Sequence, residues 1–78
     1  MRELKLFIAD IIDDDTSKQT FWYVVGKTYD SVFKRFTKKA NSIWYRYSYY
    51  FEEADEEGVE EFAEHYGVDS FKAGIYEK

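Results

Sequence analysis

The chain has 78 residues, a formal net charge of -5 at pH 7 and no Cys. This length fits one domain, residues 1–78, and is too short for two independent hydrophobic cores. The negative charge disfavours uniform attraction to nucleic acid or to an anionic membrane, and the lack of Cys excludes disulfides and thiolate zinc sites. Because no apolar run is long enough to span a membrane or to direct export, we expect a cytoplasmic protein without membrane contact.

Aromatic residues form 22% of the chain, with 8 Tyr, 7 Phe and 2 Trp, and they outnumber Leu, Ile and Val together. Ordinary globular domains show the opposite order, with Leu among their commonest residues. Each ring brings on the order of 150 to 250 Å² of burial, so rings are one way in which a short chain gains stability. The composition therefore predicts a core built mainly from aromatic side chains.

The N-terminal third of the chain has the pattern of an antiparallel hairpin. Residues 4–12 alternate with a period of two and carry apolar groups on both faces, with Asp10 interrupting the face of Leu4, Leu6, Ile8 and Ile12, which predicts a strand. Residues 13–18 are polar and predict a turn. Residues 19–25 are rich in aromatic and β-branched side chains, so they predict a second strand that Gly26 ends.

A basic amphipathic helix is predicted over residues 29–40, and either Thr28 or Asp30 can cap its start. Its apolar stripe recurs at helical spacing and comprises Tyr29, Val32, Phe33, Phe36 and Ala40. The other side of this helix carries four cations: Lys34, Arg35, Lys38 and Lys39.

A third strand is predicted over residues 43–51, where Trp and Tyr are dense. One face would carry Ile43, Tyr45, Tyr47, Tyr49 and Phe51, and the opposite face would carry Trp44, Arg46, Ser48 and Tyr50. A cation between two exposed rings resembles in type the surfaces that stack single-stranded bases. The order of elements and the lack of a glycine-aromatic motif differ from those of RNA-binding sheets.

A second helix is predicted between its cap at Asp55 and Tyr66, with Gly67 as a left-handed C-terminal cap. Its apolar stripe comprises Val59, Phe62, Ala63 and Tyr66. Residues 71–76 alternate as a short last strand. The element order ββαβαβ predicts an α+β fold, in which we expect a two-layer sandwich of a four-stranded sheet with both helices on one face. The expected core residues of the two helices are Phe33, Phe36, Phe62 and Tyr66.

Charge is distributed unevenly along the chain. Residues 1–51 carry nine basic and six acidic groups, whereas residues 52–78 carry two and ten. The acidic face predicted for the second helix comprises Glu56, Glu57, Glu60, Glu61 and Glu64. Such a face is either solvated surface or a recognition surface. Its charge spacing of about 3 Å approaches the roughly 3.4 Å of one DNA strand, as a nucleic-acid mimic would require.

The cations of the first helix also have two interpretations. With Lys27 and Arg46 they would form a patch that engages phosphate. Alternatively, they are solvated or pair with the acidic helix, because both helices are expected on the same side of the sheet. Each such exposed pair would contribute only about 0 to 1 kcal/mol.

No motif for catalysis or metal binding stands out. Asp10 and residues 13–15 lack the alternate ligands, central Gly and terminal Glu of a calcium loop. His65, the one His, lies near a helix C-terminus, where positive charge is favourable. There is no Gly-rich phosphate loop and no nucleophile elbow. We therefore expect no enzymatic activity, no cofactor and no metal.

These patterns together favour a small protein-interaction module, an inhibitor or regulator that binds a protein partner not identified by the sequence. Binding would use either the acidic face or the aromatic sheet face around Trp44, Arg46 and Tyr50, and the exposed rings also predict a homodimer as one outcome. The alternative is a nucleic-acid-binding module that uses the basic helix and the third strand. In general character the composition is similar to that of small accessory proteins of bacteriophages and mobile elements.

Overall fold

The computed structural model describes residues 4–67 and 72–77. The elements in this part of the chain are β1 (Lys5–Asp13), β2 (Gln19–Gly26), α1 (Tyr29–Ile43), β3 (Tyr47–Glu53), α2 (Glu56–Tyr66) and β4 (Gly74–Glu77). The predicted α+β class, the four strands and the order ββαβαβ are confirmed. None of the helices described is long and apolar enough to cross a membrane.

The four strands form one antiparallel sheet in the order β3-β1-β2-β4. β1 and β2 form the predicted hairpin and occupy the centre, with Ile8 opposite Tyr23. β3 pairs with β1 on one side, and β4 pairs with β2 on the other. Thus β3 and β4 are the two edge strands, and each helix connects strands that are not neighbours.

The two helices pack on opposite faces of the sheet, which we call the α1 side and the α2 side. Successive side chains of a strand point to opposite faces. On β1, Phe7 belongs to the core cluster that contains Phe36 of α1, whereas Leu6 belongs to the cluster that contains Phe62 of α2. The expectation that both helices cover one face is therefore wrong. The physical reason lies in the central hairpin, whose two apolar faces both require a cover.

Aromatic rings fill the α1 side. Phe36 is fully buried, and its ring centroid lies 6.0 Å from that of Trp22 and 5.2 Å from that of Phe51. Thr28 and Ser31 form a reciprocal capping box at the start of α1. These contacts confirm the predicted ring core for this layer and identify Thr28, rather than Asp30, as the cap.

The end of α1 differs from the prediction. The helix continues to Ile43, and the backbone N–H of Trp44 donates to the carbonyl of Ala40 at 2.9 Å. The Trp44 ring then packs 5.3 Å from the Trp22 ring. This tertiary contact favours continued helix over the strand that local propensity indicated, so β3 begins at Tyr47 instead of Ile43.

On the α2 side, Phe62 is fully buried, with its ring centroid 5.2 Å from those of Tyr23 and Tyr76. Oδ1 of Asp55 accepts from the backbone N–H of Gly58 at 2.9 Å, which confirms the predicted cap. Gly67 ends the helix with a φ of 89°, a value that favours glycine, but its ψ of 149° lies outside the left-handed helical region. The predicted left-handed cap is therefore correct only in the sign of φ.

The core predictions hold to different degrees. Phe36 and Phe62 are fully buried, whereas Phe33 and Tyr66 are half-buried at the margins of their clusters. The last strand, predicted over residues 71–76, spans Gly74–Glu77, and Phe71 lies outside the described residues.

Candidate functional site

The predicted acidic face lies on the solvent side of α2, and we call it the acidic surface. It consists of Glu56, Glu57, Glu60, Glu61 and Glu64, all of which are exposed. At its margin an open hollow of about 370 Å³ is lined by Glu52, Glu53, Asp55, Glu57 and Glu61 with apolar atoms of Ile8. The acidic surface is therefore continuous with the C-terminal end of β3.

No cation of the described residues forms an ion pair with the acidic surface. In the described part of the structure the ion pairs are Lys39–Glu77 at 3.9 Å and Arg46–Asp15 at 4.0 Å, and neither includes a residue of α2. The described His, Asp and Glu residues also form no group that could hold a metal ion. The α2 carboxylates thus act as a distributed negative surface rather than as a chelating cluster.

The basic side of α1 is separated from the acidic surface by the sheet. The predicted pairing of charges between the two helices is therefore wrong, because it assumed that they share one face. Nη1 of Arg35 donates to the carbonyl of Val25 at 3.1 Å, and Nζ of Lys39 lies 5.0 Å from the centre of the Trp22 ring. Arg35 and Lys39 therefore support packing, which leaves Lys34 and Lys38 as the more freely exposed cations of α1.

The predicted aromatic sheet face does not exist as one surface. Trp44 is half-buried on the α1 side, whereas Tyr50 is 64% exposed on the α2 side, opposite Asp10 of β1. Arg46 is exposed beside Asp15. The extra turn of α1 accounts for this result, because it removes Trp44 from the strand and turns it toward the core.

Exposed rings instead flank β3, which the strand order makes an edge strand. Tyr45, just before it, is 90% exposed, and Tyr49 on its α1 side is 47% exposed. Tyr49 still contacts the α1 layer, with its ring centroid 5.3 Å from that of Phe36. This edge could not be predicted from the sequence, because local patterns identify a strand without indicating which strands will lie at its sides.

Part of the α2 side is open because α2 is short. An 11-residue helix is about 16 Å long, whereas the nine residues of β1 extend about 30 Å. Ile12, Phe21 and Tyr50 lie beyond the helix and are exposed by 40%, 38% and 64%. Asp10 lies among them and accepts from Nε2 of Gln19 at 2.8 Å. These residues form a small mixed patch adjoining β3.

The titratable rings have no arrangement typical of acid-base chemistry. Burial, with a smaller effect of Tyr49, raises the pKa of Tyr47, whose hydroxyl donates to Oδ1 of Asn41 at 2.8 Å. Burial, followed by Tyr23 and Glu77, also raises the pKa of Tyr66. Both phenols therefore stay protonated at neutral pH.

His65 and the acidic residues after β1, which the sequence also singled out, have structural roles at a helix end and in a turn. His65 is exposed in the last turn of α2, as predicted, with its ring 4.6 Å from the Tyr66 ring. Oδ1 of Asp13 accepts from the backbone N–H of Asp15 at 2.9 Å, and Ser17 adopts a φ of 63°. The acidic run after β1 is thus a tight turn.

The chain has no match among known proteins that would assign a role to these surfaces. No protein-family model matches the chain, and neither a curated protein nor a solved structure matches it. The geometry of the surfaces is therefore the basis on which a function can be proposed.

Proposed function

We propose that this protein is a small interaction module that binds a basic surface of a partner protein through the acidic surface. One observation carries the proposal: five exposed Glu residues lie together on α2, on the opposite side of the sheet from the basic helix. Internal pairing with α1 would have been the simplest structural use of these charges. Its absence from the described residues leaves the negative field directed outward.

The chemistry of the acidic surface favours a partner that normally holds a polyanion. Glu60 and Glu64 lie one helical turn apart, about 6 Å, and the intervening acids bring the charge spacing near that of a nucleic-acid strand. A protein with a phosphate-binding groove would present cations at similar intervals. Occupation of that groove would make the chain an inhibitor or regulator that mimics nucleic acid. We place this activity in the cytoplasm, because a small domain without Cys suits a reducing compartment.

Direct nucleic-acid binding is less well supported. Two of the four α1 cations, Arg35 and Lys39, already contact Val25 and Trp22, and Trp44 is turned away from the surface it was expected to share with Tyr50. Retention of the wild-type protein on single-stranded DNA, with a steep dependence on salt, would support this alternative and contradict our proposal.

The test combines capture with kinetics. The wild-type protein and a variant carrying Glu57→Gln, Glu60→Gln, Glu61→Gln and Glu64→Gln are used to capture binding proteins from the native host. The association rate of the captured partner is then measured at low and high salt. We expect the variant to associate about tenfold more slowly at low salt, and the difference to shrink as salt rises, because long-range charge acts mainly on the association rate.

A matched control places neutral residues on the opposite side of the sheet. Lys34→Gln with Lys38→Gln removes exposed charges from α1 and leaves the acidic surface unchanged. This control should associate as fast as the wild-type protein or slightly faster. Equal rates for the wild-type and the quadruple Glu variant at low salt would show that the acidic surface does not bind the partner.

A further inference from the structure

The outer edge of β3 presents backbone groups in a defined alternation. The backbone N–H of Ala54 donates to the carbonyl of Leu6 at 2.9 Å, and that of Asp14 donates to the carbonyl of Arg46 at 3.1 Å. In an antiparallel ladder, residues of one parity direct both backbone groups to the same neighbour. The even-numbered residues therefore face β1, and the odd-numbered residues direct their N–H and C=O groups outward: Tyr47, Tyr49, Phe51 and Glu53.

This edge has few of the features that usually prevent strand addition. Natural edge strands are commonly short, kinked by bulges, or protected by Pro or by a charge at the centre. β4, the other edge, is only four residues long, whereas β3 has seven residues and pairs with β1 without a break in register. Its centre is uncharged, and Tyr49 and Tyr50 are exposed on its two faces. The edge is therefore a template for another strand.

The charges at the ends of β3 indicate which strand would pair best. When the strand pairs antiparallel with a second copy of itself about Tyr49, Arg46 of each copy lies opposite the second copy's Glu52. Arg46 directly precedes β3 and continues its pairing with β1, because its carbonyl accepts from the backbone N–H of Asp14. Arg46 and Glu52 both have even numbers, so their side chains lie on the same face and can form two symmetric ion pairs, in which Glu52 of the second copy replaces the exposed Asp15 that lies 4.0 Å from Arg46. The same register places the odd-numbered residues opposite one another, with about six backbone hydrogen bonds between the copies.

The remaining charged elements do not oppose this pairing. The backbone of α1 has its closest sheet contacts with β2 and β4, and the α1 side chains seen in contact with β3 are uncharged, among them Phe36 and Asn41. The acidic surface adjoins the Glu53 end of β3, about 13 Å along the strand from the two-fold axis at Tyr49. The two acidic surfaces of a dimer would therefore be about 26 Å apart, which is well beyond the Debye length of about 8 Å at physiological salt.

We propose that two copies of this chain form a symmetric dimer in which their β3 strands pair antiparallel about Tyr49, joining the two sheets into one of eight strands. Such an interface is isologous, since the same strand serves both copies. It covers Tyr49 and Tyr50 of each copy and leaves the acidic surface open. The dimer is thus independent of the partner binding proposed above.

Charge reversal tests the dimer and its register together. We expect the wild-type protein to sediment as a reversible dimer at low salt. Arg46→Glu or Glu52→Arg alone should weaken dimerisation about tenfold, because each creates two like-charge pairs. The double variant Arg46→Glu with Glu52→Arg should recover wild-type dimerisation to within about threefold. As a matched control, Arg46→Glu with Glu53→Arg should not recover it, because Glu53 lies on the other face of the strand.

Disulfide cross-linking of introduced cysteines tests the register of the two strands. Because the chain contains no Cys, no other thiol can form a cross-link. Tyr49→Cys places two thiols across the axis with Cα atoms about 5.5 Å apart, within the range for a disulfide. Ser48→Cys, the control, places them about 8 Å apart, which is too far. We expect oxidation to cross-link the first variant and not the second. A wild-type protein that remains monomeric at about 1 mM, or a charge-swapped double variant without recovery, would overturn the proposal.

Discussion

The two sides of the sheet perform different physical tasks. On the α1 side a 15-residue helix packs against interlocked rings, and two of its cations support that packing. On the α2 side an 11-residue helix covers the apolar cluster around Phe62, and its exposed acids form no ion pair with the other described residues. The comparison indicates that charge on the α1 side is partly used in packing, while the α2 side has charge available for binding.

The largest expected change in stability comes from truncating the central ring of each layer. Phe36 contacts rings from α1, β2 and β3, and among the described residues Phe62 contacts Tyr23, Tyr66 and Tyr76. Because both rings are fully buried, we expect Phe36→Ala and Phe62→Ala each to lower the free energy of unfolding by about 3 to 5 kcal/mol. Urea denaturation followed by circular dichroism measures both. A loss below about 1 kcal/mol for either variant would show that its layer contributes little to the stability of the fold.

Glycines in the two layers offer a second, smaller contrast. A Cβ at Gly26 would collide with Cγ1 of Val32, a fully buried and stiff side chain, so Gly26→Ala should destabilise the fold by about 1 to 3 kcal/mol. A Cβ at Gly58 would lie 3.0 Å from Cβ of Ala54, a tight contact that the better helix propensity of Ala offsets. Gly58→Ala should therefore change stability by less than about 1 kcal/mol. Thermal melts of the two variants, measured side by side, check this order.

The helix caps should contribute similarly in both layers. Thr28 accepts from the backbone N–H of Ser31 at 3.2 Å, and Asp55 accepts from that of Gly58 at 2.9 Å. Thr28→Ala and Asp55→Ala should each cost about 1 kcal/mol in the free energy of unfolding. Asp55→Asn is the matched control, since it keeps an accepting oxygen and should retain most of the stability. A loss for Asn as large as that for Ala would mean that the charge, rather than the hydrogen bond, stabilises α2.

The smallest expected effect concerns the acidic surface itself. Because its residues are exposed and repel one another at helical spacing, replacing Glu57, Glu60, Glu61 and Glu64 by Gln should leave stability unchanged or raise it by about 0.5 kcal/mol. The wild-type protein should gain a similar amount as salt screens the repulsion. Chemical denaturation by urea at two salt concentrations measures both. A large loss of stability would show that these acids support the fold, and would remove the contrast between the two sides.

Several features follow from the sequence alone, because they depend on neighbours within a few residues. The stripe of α1, the cap at Asp55, the positive φ at Gly67 and the exposure of the acidic surface could all be predicted from local spacing. The central hairpin could also be predicted, since a polar turn joins two strands that are adjacent in the chain. Local periodicity indicates which side of a helix or strand is apolar, and these features depend on nothing more distant in the chain.

The tertiary structure alone decided what covers each apolar side. Packing against Trp22 kept Trp44 at the end of α1, and the requirement to bury both faces of β1 placed the helices on opposite sides. Pairing between distant segments made β3 an edge strand. The physical reason is that burial and strand pairing are satisfied by whichever distant element fits best. A local pattern indicates that an apolar face must be buried, but it does not indicate which helix or strand buries it.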